Sequence, residues 1–297
     1  MKLFIALVIC STTSARIAIA ETASKLNTQK IETLTGLKGN YNEKEEVFKV
    51  SYPRNDIQST SNGVKLAPGL GLTSWVAFQK FGKETMLMGD TVLLEDQVGP
   101  VMSVALDNGL EVTALHNHFF GDSPKVMFMH IGGLGDEEQL ATAIGKVYAK
   151  LKETAGGKGS FPITEIDPAK STMKTEVISK IFGTKGDLKD GIYKVTIGRK
   201  TKMHDHEVGN AMGVNTWAAF AGSDIEAVVD GDFAMLENEL QTVLKTLRHA
   251  NINIVAIHNH MTMETPRIMY LHFWGVGKPE ELAKALKAAL DTQKMLK

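Results

Sequence analysis

The chain has 297 residues but only one cysteine, Cys10, which lies close to its start. If the segment ending at Ala20 is removed, the mature protein has no thiol. This excludes disulfide bonds, a cysteine nucleophile and cysteine-ligated zinc. Net charge is also nearly absent, at −1 from 33 basic and 34 acidic residues. Such a balance gives no electrostatic reason to expect nucleic acid or an anionic membrane as a partner.

The chain also has no apolar run at its start that is long enough to span a bilayer, because Leu3 to Ile9 is too short. Lys2 precedes this run, and Ala18-Ile19-Ala20 after it fits the small-x-small pattern that signal peptidase cleaves. We therefore predict that residues 1–20 are a signal peptide and that the mature chain starts at Glu21. The predicted location is periplasmic or secreted, with no transmembrane segment.

A lipid anchor on Cys10 is the rival arrangement. It requires a small residue before the cysteine, and Ile9 is not small. Arg16 and the polar run Ser11-Thr12-Thr13-Ser14 also depart from an ideal signal sequence. Simple export followed by cleavage is the favoured reading of this segment.

An internal repeat is the strongest feature of the chain. His-Asn-His occurs at residues 116–118 and again at 258–260, an offset of 142. The same offset relates Trp75 to Trp217 and His130 to His272. Between residues 71 and 143, 23 of 73 positions are identical at this offset without a gap. Self-similarity of this kind indicates a duplicated structural unit.

The repeat divides the chain into two predicted units, residues 28–155 and 175–297. Residues 156–174 carry Gly, Pro and Ser without periodicity and are predicted to be a linker. Within each unit, a region of several strands is followed by a β-α-β-β-α pattern that contains two amphipathic helices. The predicted fold class is α+β, with two helices on a mostly antiparallel sheet in each unit and a pseudo-two-fold axis between units. The predicted helices are Glu95–Asp107, Asp136–Leu151, Glu237–His249 and Lys278–Ala289.

The duplicated histidines are the main candidates for chemistry. Residues i and i+2 of a strand point to one face, so each His-x-His pair presents two imidazoles together. A third histidine in each unit lies on the predicted hairpin partner strand. Three imidazoles suit a divalent ion such as Zn, Cu, Mn or Fe. The alternative is a set of core histidines that bond to backbone and Asn. The candidate metal ligands are His116, His118, His130, His258, His260 and His272.

The hairpin geometry leaves one question open. If residues 119–124 close a tight hairpin, residue 118 pairs with 125 and His130 lies opposite Thr113. His130 would then lie on the face that His116 does not share. A one-residue slip or a bulge reverses this parity. The sequence does not decide between the two registers.

Other polar residues are secondary candidates. Asp90 and Asp232 follow a Gly at the end of an apolar strand and are candidate catalytic carboxylates, either as general base or as metal ligand. The alternative is that they are turn residues. Glu95 and Glu237 start helices, where a negative charge is favourable, so a structural role is preferred. Only the second unit has a further histidine pair and two methionines close to its His-x-His pair. The methionine sulfur atoms would make the second site soft enough for copper, although core packing is favoured for the methionines. These residues are His204, His206, Met261 and Met263.

The segments ALHNHFFGDSPKVMFMHIGGLG and AIHNHMTMETPRIMYLHFWGVG, with GLGLTSWVAF and AMGVNTWAAF upstream, resemble the LppY/LpqO family of exported bacterial proteins. The resemblance implies an exported, duplicated domain of unassigned function and supplies no catalytic residue. Two hypotheses follow. The first is an exported metal-dependent enzyme, hydrolytic or oxidative. The second is a non-catalytic envelope module that binds a small ligand or a metal ion, with structural histidines.

Overall fold

The structure is a computed structural model that describes residues 25–155, 161 and 163–293. The predicted signal peptide, Cys10 and part of the predicted linker lie outside these residues. The first unit contains helices α1 (Thr28–Thr35), α2 (Glu95–Asp107) and α3 (Glu137–Glu153). Its strands are β1 (Gly39–Asn42), β2 (Val47–Pro53), β3 (Thr60–Ser61), β4 (Val64–Lys65), β5 (Thr73–Phe81), β6 (Glu84–Leu94), β7 (Glu111–His116), β8 (Asp122–Ser123) and β9 (Val126–Gly135).

The second unit repeats this order of elements, except that an isolated bridge between Lys202 and Thr265 takes the place of β8. Its helices are α4 (Thr175–Phe182), α5 (Leu240–His249) and α6 (Pro279–Asp291). Its strands are β10 (Asp187–Lys189), β11 (Ile192–Gly198), β12 (Thr201–Met203), β13 (His206–Val208), β14 (Asn215–Gly222), β15 (Ala227–Leu236), β16 (Asn253–His258) and β17 (Ile268–Gly277).

Local sequence signals place the start of two helices, whereas the segment predicted from Glu237 begins as a 3₁₀ turn and becomes α-helical at Leu240. Helix α2 has the predicted bounds, and the Gln97 side chain accepts the Leu94 N–H at its start. Helix α3 is capped by Asp136, as predicted, with the carboxylate accepting the Gln139 N–H at 2.9 Å. The short helices α1 and α4 were not predicted. Within the described part of the chain, no helix has the length and apolar content to cross a membrane.

Twelve strands form one antiparallel sheet in the order β1-β2-β5-β6-β9-β7-β16-β17-β15-β14-β11-β10. The first six strands in this order belong to the first unit and the last six to the second. When the strands are counted from the two edges of the sheet inward, strands at the same position are equivalent in the two units. This confirms the predicted α+β class and the duplicated architecture. The units meet edge to edge through β7 and β16, so the sheet continues across the junction.

The pseudo-two-fold axis passes through this junction. Leu115 of β7 pairs with Ile257 of β16, and these residues are related by the repeat offset of 142. On the helix side, His249 Nε2 lies 2.7 Å from Asp107 Oδ1, and the same offset relates these two residues. Each residue therefore contacts its own counterpart in the other unit, which is the expected geometry of a two-fold interface.

The two faces of the sheet differ. The helices cover one face and enclose the main apolar core, which includes Leu115, Met129 and Leu271. The other face carries two smaller apolar clusters, one around Phe128 and one around Tyr270. The short hairpins β3–β4 and β12–β13 belong to this second face. The histidines lie on it as well, beside the two smaller clusters.

Candidate metal centre

A β-bulge settles which face His130 occupies. The ladder between β7 and β9 shifts by one residue between Val112 and Ala114, so His130 pairs with Ala114 and His116 pairs with Phe128. His116 and His130 therefore share a face, in the slipped register that the sequence left open. The second unit has the same shift between Ile254 and Ala256, which places His272 opposite Ala256 and His258 opposite Tyr270.

The same face brings an aspartate to each group of histidines. Strand β6 pairs Asp90 with His130, and β15 pairs Asp232 with His272. Residues that are directly opposite in a ladder point to the same side of the sheet. The predicted carboxylates and histidines are therefore neighbours in both units. We call the set Asp90, His116, His118 and His130 cluster 1, and the set Asp232, His258, His260 and His272 cluster 2.

Cluster 2 has the more compact geometry. One candidate ligand atom from each of Asp232, His258 and His272 lies within 4.8 Å of the other two. His260 Nε2 is 3.0 Å from Asp232 Oδ2 and 3.2 Å from His258 Nε2. Two bonds of about 2.1 Å to a common ion allow ligand atoms to be up to roughly 4 Å apart. The spacing in cluster 2 is thus close to what a single ion requires, with small side-chain adjustments.

Burial shifts the pKa values of two residues in cluster 2. Burial, together with the neighbouring His272 and His260, lowers the pKa of His258 to about 4, so this ring is neutral at pH 7 with a lone pair available. Burial also raises the pKa of Asp232, against the opposing effect of His272 and His260. Asp232 is only 2% exposed, and its Oδ1 has no hydrogen-bond partner among the described residues.

An aromatic ring supports one histidine in each cluster. His260 stacks on Tyr270 with ring centroids 3.5 Å apart, and His118 stacks on Phe128 at the same distance. Phe128 and Tyr270 are equivalent residues in the repeat. Sequence reasoning missed these two residues, although the retained aromatic at offset 142 was a usable signal. The stacking restricts each imidazole to one plane, which reduces the entropy lost when it binds a ligand.

Cluster 1 contains the same residues in a looser arrangement. His116 Nε2 and His130 Nε2 are 3.0 Å apart, and the His116 and His118 rings stack at 5.2 Å. Burial raises the pKa of Asp90, and burial lowers the pKa of His118. Asp90 Oδ1 also lacks a hydrogen-bond partner among the described residues. Of the side chains that the structure describes, only the cluster 2 set brings three candidate ligands, one of them a carboxylate, within 4.8 Å of one another.

The additional candidates of the second unit lie elsewhere. His204 and His206 are exposed at the tip of the β12–β13 hairpin, where His204 has a positive φ of 48°. Met261 packs against the apolar cluster around Tyr270, and Met263 is 80% exposed. None of these four residues belongs to the three-ligand group of cluster 2. The two helix-start carboxylates also keep a structural position, since Glu95 begins α2 and Glu237 begins a turn of 3₁₀ helix before α5.

Close packing fixes the backbone beside Asp232. A side chain at Gly231 would overlap the Phe273 ring and the Trp217 carbonyl oxygen. The Gly231 carbonyl oxygen lies 3.3 Å from His272 Nδ1. Gly231 therefore allows β15 to approach its neighbours closely enough to orient His272 beside Asp232.

The two clusters adjoin across the pseudo-two-fold axis. His116 follows Leu115 in β7, and His258 follows Ile257 in the adjacent strand β16. Because these strands are antiparallel, the two histidines lie on opposite sides of the Leu115–Ile257 pair. They are diagonal neighbours on one face, about 7–8 Å apart at their Cα atoms by the geometry of an antiparallel ladder. The eight residues of both clusters thus form one continuous polar patch in the middle of the sheet.

Comparison with known proteins identifies a family but no described relative. A sequence profile of the domain of unknown function DUF1259 matches residues 29–150 and, as a second copy, residues 176–292. No curated protein and no solved structure matches the chain significantly.

Proposed function

The chain belongs to the DUF1259 family, and we propose that its second unit binds one divalent transition-metal ion on Asp232, His258 and His272. His260 is the fourth candidate ligand. The supporting observation is the buried Asp232 Oδ1, which has no hydrogen-bond partner among the described residues although two imidazoles lie beside it. A buried polar atom without a partner costs free energy, and a bound cation would remove that cost.

The donor atoms define the class of ion. Two imidazole nitrogens and one carboxylate oxygen suit Zn, Mn, Fe or Cu(II), whereas Mg and Ca prefer oxygen donors alone. Soft sulfur donors are absent from the group, which argues against a Cu(I) site. In this proposal Asp232 is a ligand rather than a general base, and Asp90 has the same role in cluster 1.

A site with three protein ligands would favour a catalytic use of the ion. Structural zinc sites have four protein ligands, whereas catalytic sites keep three and leave a position open. If His260 holds Asp232 Oδ2 through its 3.0 Å contact, it orients the carboxylate from outside the coordination sphere. The bound ion would then supply Lewis acidity to a substrate or water molecule, as in hydrolytic or oxidative metal enzymes.

Metal content tests the proposal directly. Untagged protein should carry about one equivalent of Zn, Mn, Fe or Cu, measured by elemental mass spectrometry. His258→Ala with His272→Ala should remove this metal, while His206→Ala, an exposed histidine outside the clusters, should retain it. His116→Ala with His130→Ala reports separately on cluster 1. Metal retained by the first double variant would contradict the proposed ligands. If the wild-type protein carries no metal and zinc does not change its stability, the histidines have a structural role only.

We further propose that the protein is exported and acts in the periplasm or outside the cell. The n-region, the short apolar run and Ala18-Ile19-Ala20 support this, as does the resemblance to LppY/LpqO proteins. The intact mass of the periplasmic protein should correspond to a chain that starts at Glu21. A diacylglyceryl mass on Cys10, or retention of Met1, would contradict cleavage after Ala20.

A further inference from the structure

The two-fold symmetry of the junction is broken at the equivalent positions Gly99 in α2 and Gln241 in α5. The Gln241 side chain reaches across the junction to β7. Its Oε1 accepts the Val112 N–H at 2.9 Å, and its Nε2 donates to the Val112 carbonyl oxygen at 3.0 Å. Its carboxamide therefore pairs with both backbone groups of one strand residue beside the β-bulge. Gly99 has no side chain with which to do the same for β16.

A cavity of about 180 Å³ occupies the corresponding place on the other side of the axis. Its lining includes Gly99 and Ile254, the counterpart of Val112. The pairing of Ile254 with Phe273 repeats the pairing of Val112 with Ile131, one residue before the same bulge. The Ile254 N–H and carbonyl therefore point away from β17 and toward the cavity, as those of Val112 point toward Gln241.

Arg248 and Asn253 are polar side chains near the cavity, and Arg248 Nη1 donates to Asn253 Oδ1 at 3.2 Å. Arg248 is the side chain closest to Gly99, since a Cβ at residue 99 would lie 2.9 Å from its Nη2. Its Nη1 donates to the Ile252 carbonyl oxygen at 2.7 Å, and its Nε donates to Ser103 Oγ at 3.2 Å. Arg248 thus borders the cavity but supplies no carboxamide, whereas on the other side of the axis Gln241 supplies one to the Val112 backbone.

We propose that this cavity binds a small planar ligand that carries a primary carboxamide, in the place that a glutamine at residue 99 would fill. The amide would accept from the Ile254 N–H and donate to the Ile254 carbonyl oxygen. Val98, Leu115 and Met127 provide apolar walls for the body of the ligand. Trp274 adds an aromatic wall that the other unit lacks, because its counterpart there is Gly132.

Size and hydrogen bonding narrow the ligand further. An apolar cavity of about 150 Å³ is large enough for benzene, so this one has room for a single ring with an amide. Glu95 also lines the cavity, and its half-exposed carboxylate lies 3.5 Å from Lys125 Nζ. A ligand carboxylate in place of the carboxamide could not donate to the Ile254 carbonyl oxygen. The expected ligand is therefore a neutral amide rather than an acid.

Benzamide is a suitable probe, with benzoate and toluene as matched controls. Binding is followed by calorimetry and by tryptophan fluorescence in the presence of EDTA, so that the proposed metal site is not involved. We expect one benzamide per chain with a Kd on the order of 1 mM, the range for so small a ligand. Benzoate and toluene should bind at least tenfold more weakly. Trp274→Phe should abolish the fluorescence change.

Two variants test the role of the missing carboxamide. Gln241→Ala should open the equivalent cavity beside Val112 and raise the stoichiometry toward two, whereas Thr242→Ala, at the exposed next residue, should leave it at one. Gly99→Gln should abolish benzamide binding. If it misfolds against Arg248, the Gln241→Ala stoichiometry still decides. Equal binding of benzamide, benzoate and toluene, or no saturable benzamide binding by wild-type protein, would overturn the proposal.

Discussion

Zinc added to the chelator-stripped protein is expected to raise its melting temperature by roughly 8–16 °C when free zinc is about 1,000 times its Kd. A ligand that binds only the folded state at this ratio stabilises it by about 4.1 kcal/mol. Each kcal/mol corresponds to about 2–4 °C for a domain of 150–250 residues. The shift can be measured by calorimetry at several zinc concentrations, because linkage requires it to grow with the logarithm of concentration.

The expected source of this shift is cluster 2. His258→Ala combined with His272→Ala removes two of the three grouped ligands, so most of the zinc-dependent shift should disappear. The equivalent pair in cluster 1, His116→Ala with His130→Ala, should remove less. Magnesium should not reproduce the zinc effect, since it prefers oxygen donors. A full zinc shift in the cluster 2 variant would assign the stabilisation to another site.

Local sequence signals account for most of the secondary structure. Helix α2 has the predicted bounds because its apolar spacing and the Asn108-Gly109 stop are contained within the segment itself. Helix α1 was missed because it has only eight residues. It depends on packing against α3, where Leu34 approaches Gly145 so closely that a side chain there would overlap its carbonyl oxygen. Such a tertiary contact has no local signature.

The candidate site could be predicted only in part, for a similar reason. Duplication identified the six histidines, and the strand period placed His116 beside His118. The face of His130 depended on a bulge at Thr113, which the ladder determines and the sequence pattern does not mark. Asp90 lies in the cluster because β6 pairs with β9, although helix α2 and strands β7 and β8 separate these two strands in the chain. The roles of these residues in metal binding stay predictions.

Replacing Asp232 by Asn is expected to have opposite effects on the metal-free and the zinc-bound protein. Without metal, the buried carboxylate opposes folding, because burial raises its pKa above the ordinary value near 3.9. Removing the charge should stabilise the metal-free protein by about 1–2 kcal/mol, the scale of a poorly satisfied buried polar group. The corresponding rise in melting temperature is roughly 2–8 °C in EDTA at pH 7.

The sign of the pH dependence follows from the same shift. A raised carboxyl pKa destabilises the fold at pH values above the folded-state pKa, and this effect vanishes below the unfolded-state pKa near 3.9. The advantage of Asp232→Asn in EDTA should therefore shrink as the pH falls from 7 toward 4. Asp224→Asn is a suitable control, because Asp224 is exposed and its pKa is lowered by the bond from the Lys174 N–H. That variant should show no rise in melting temperature at pH 7.

With zinc present, the order of stabilities should reverse. Asp232→Asn replaces an anionic ligand by a neutral amide, so zinc affinity should fall about a hundredfold or more. This loses about 2.7 kcal/mol of zinc-dependent stabilisation, more than the roughly 1–2 kcal/mol gained in EDTA, and the zinc-dependent rise in melting temperature should shrink accordingly. A merely structural aspartate would change the melting temperature by the same amount with and without zinc. A melting temperature of Asp232→Asn that is higher than wild type in EDTA and lower than wild type in zinc therefore distinguishes a metal ligand from a buried structural carboxylate. Parallel changes in both conditions would remove Asp232 from the proposed site.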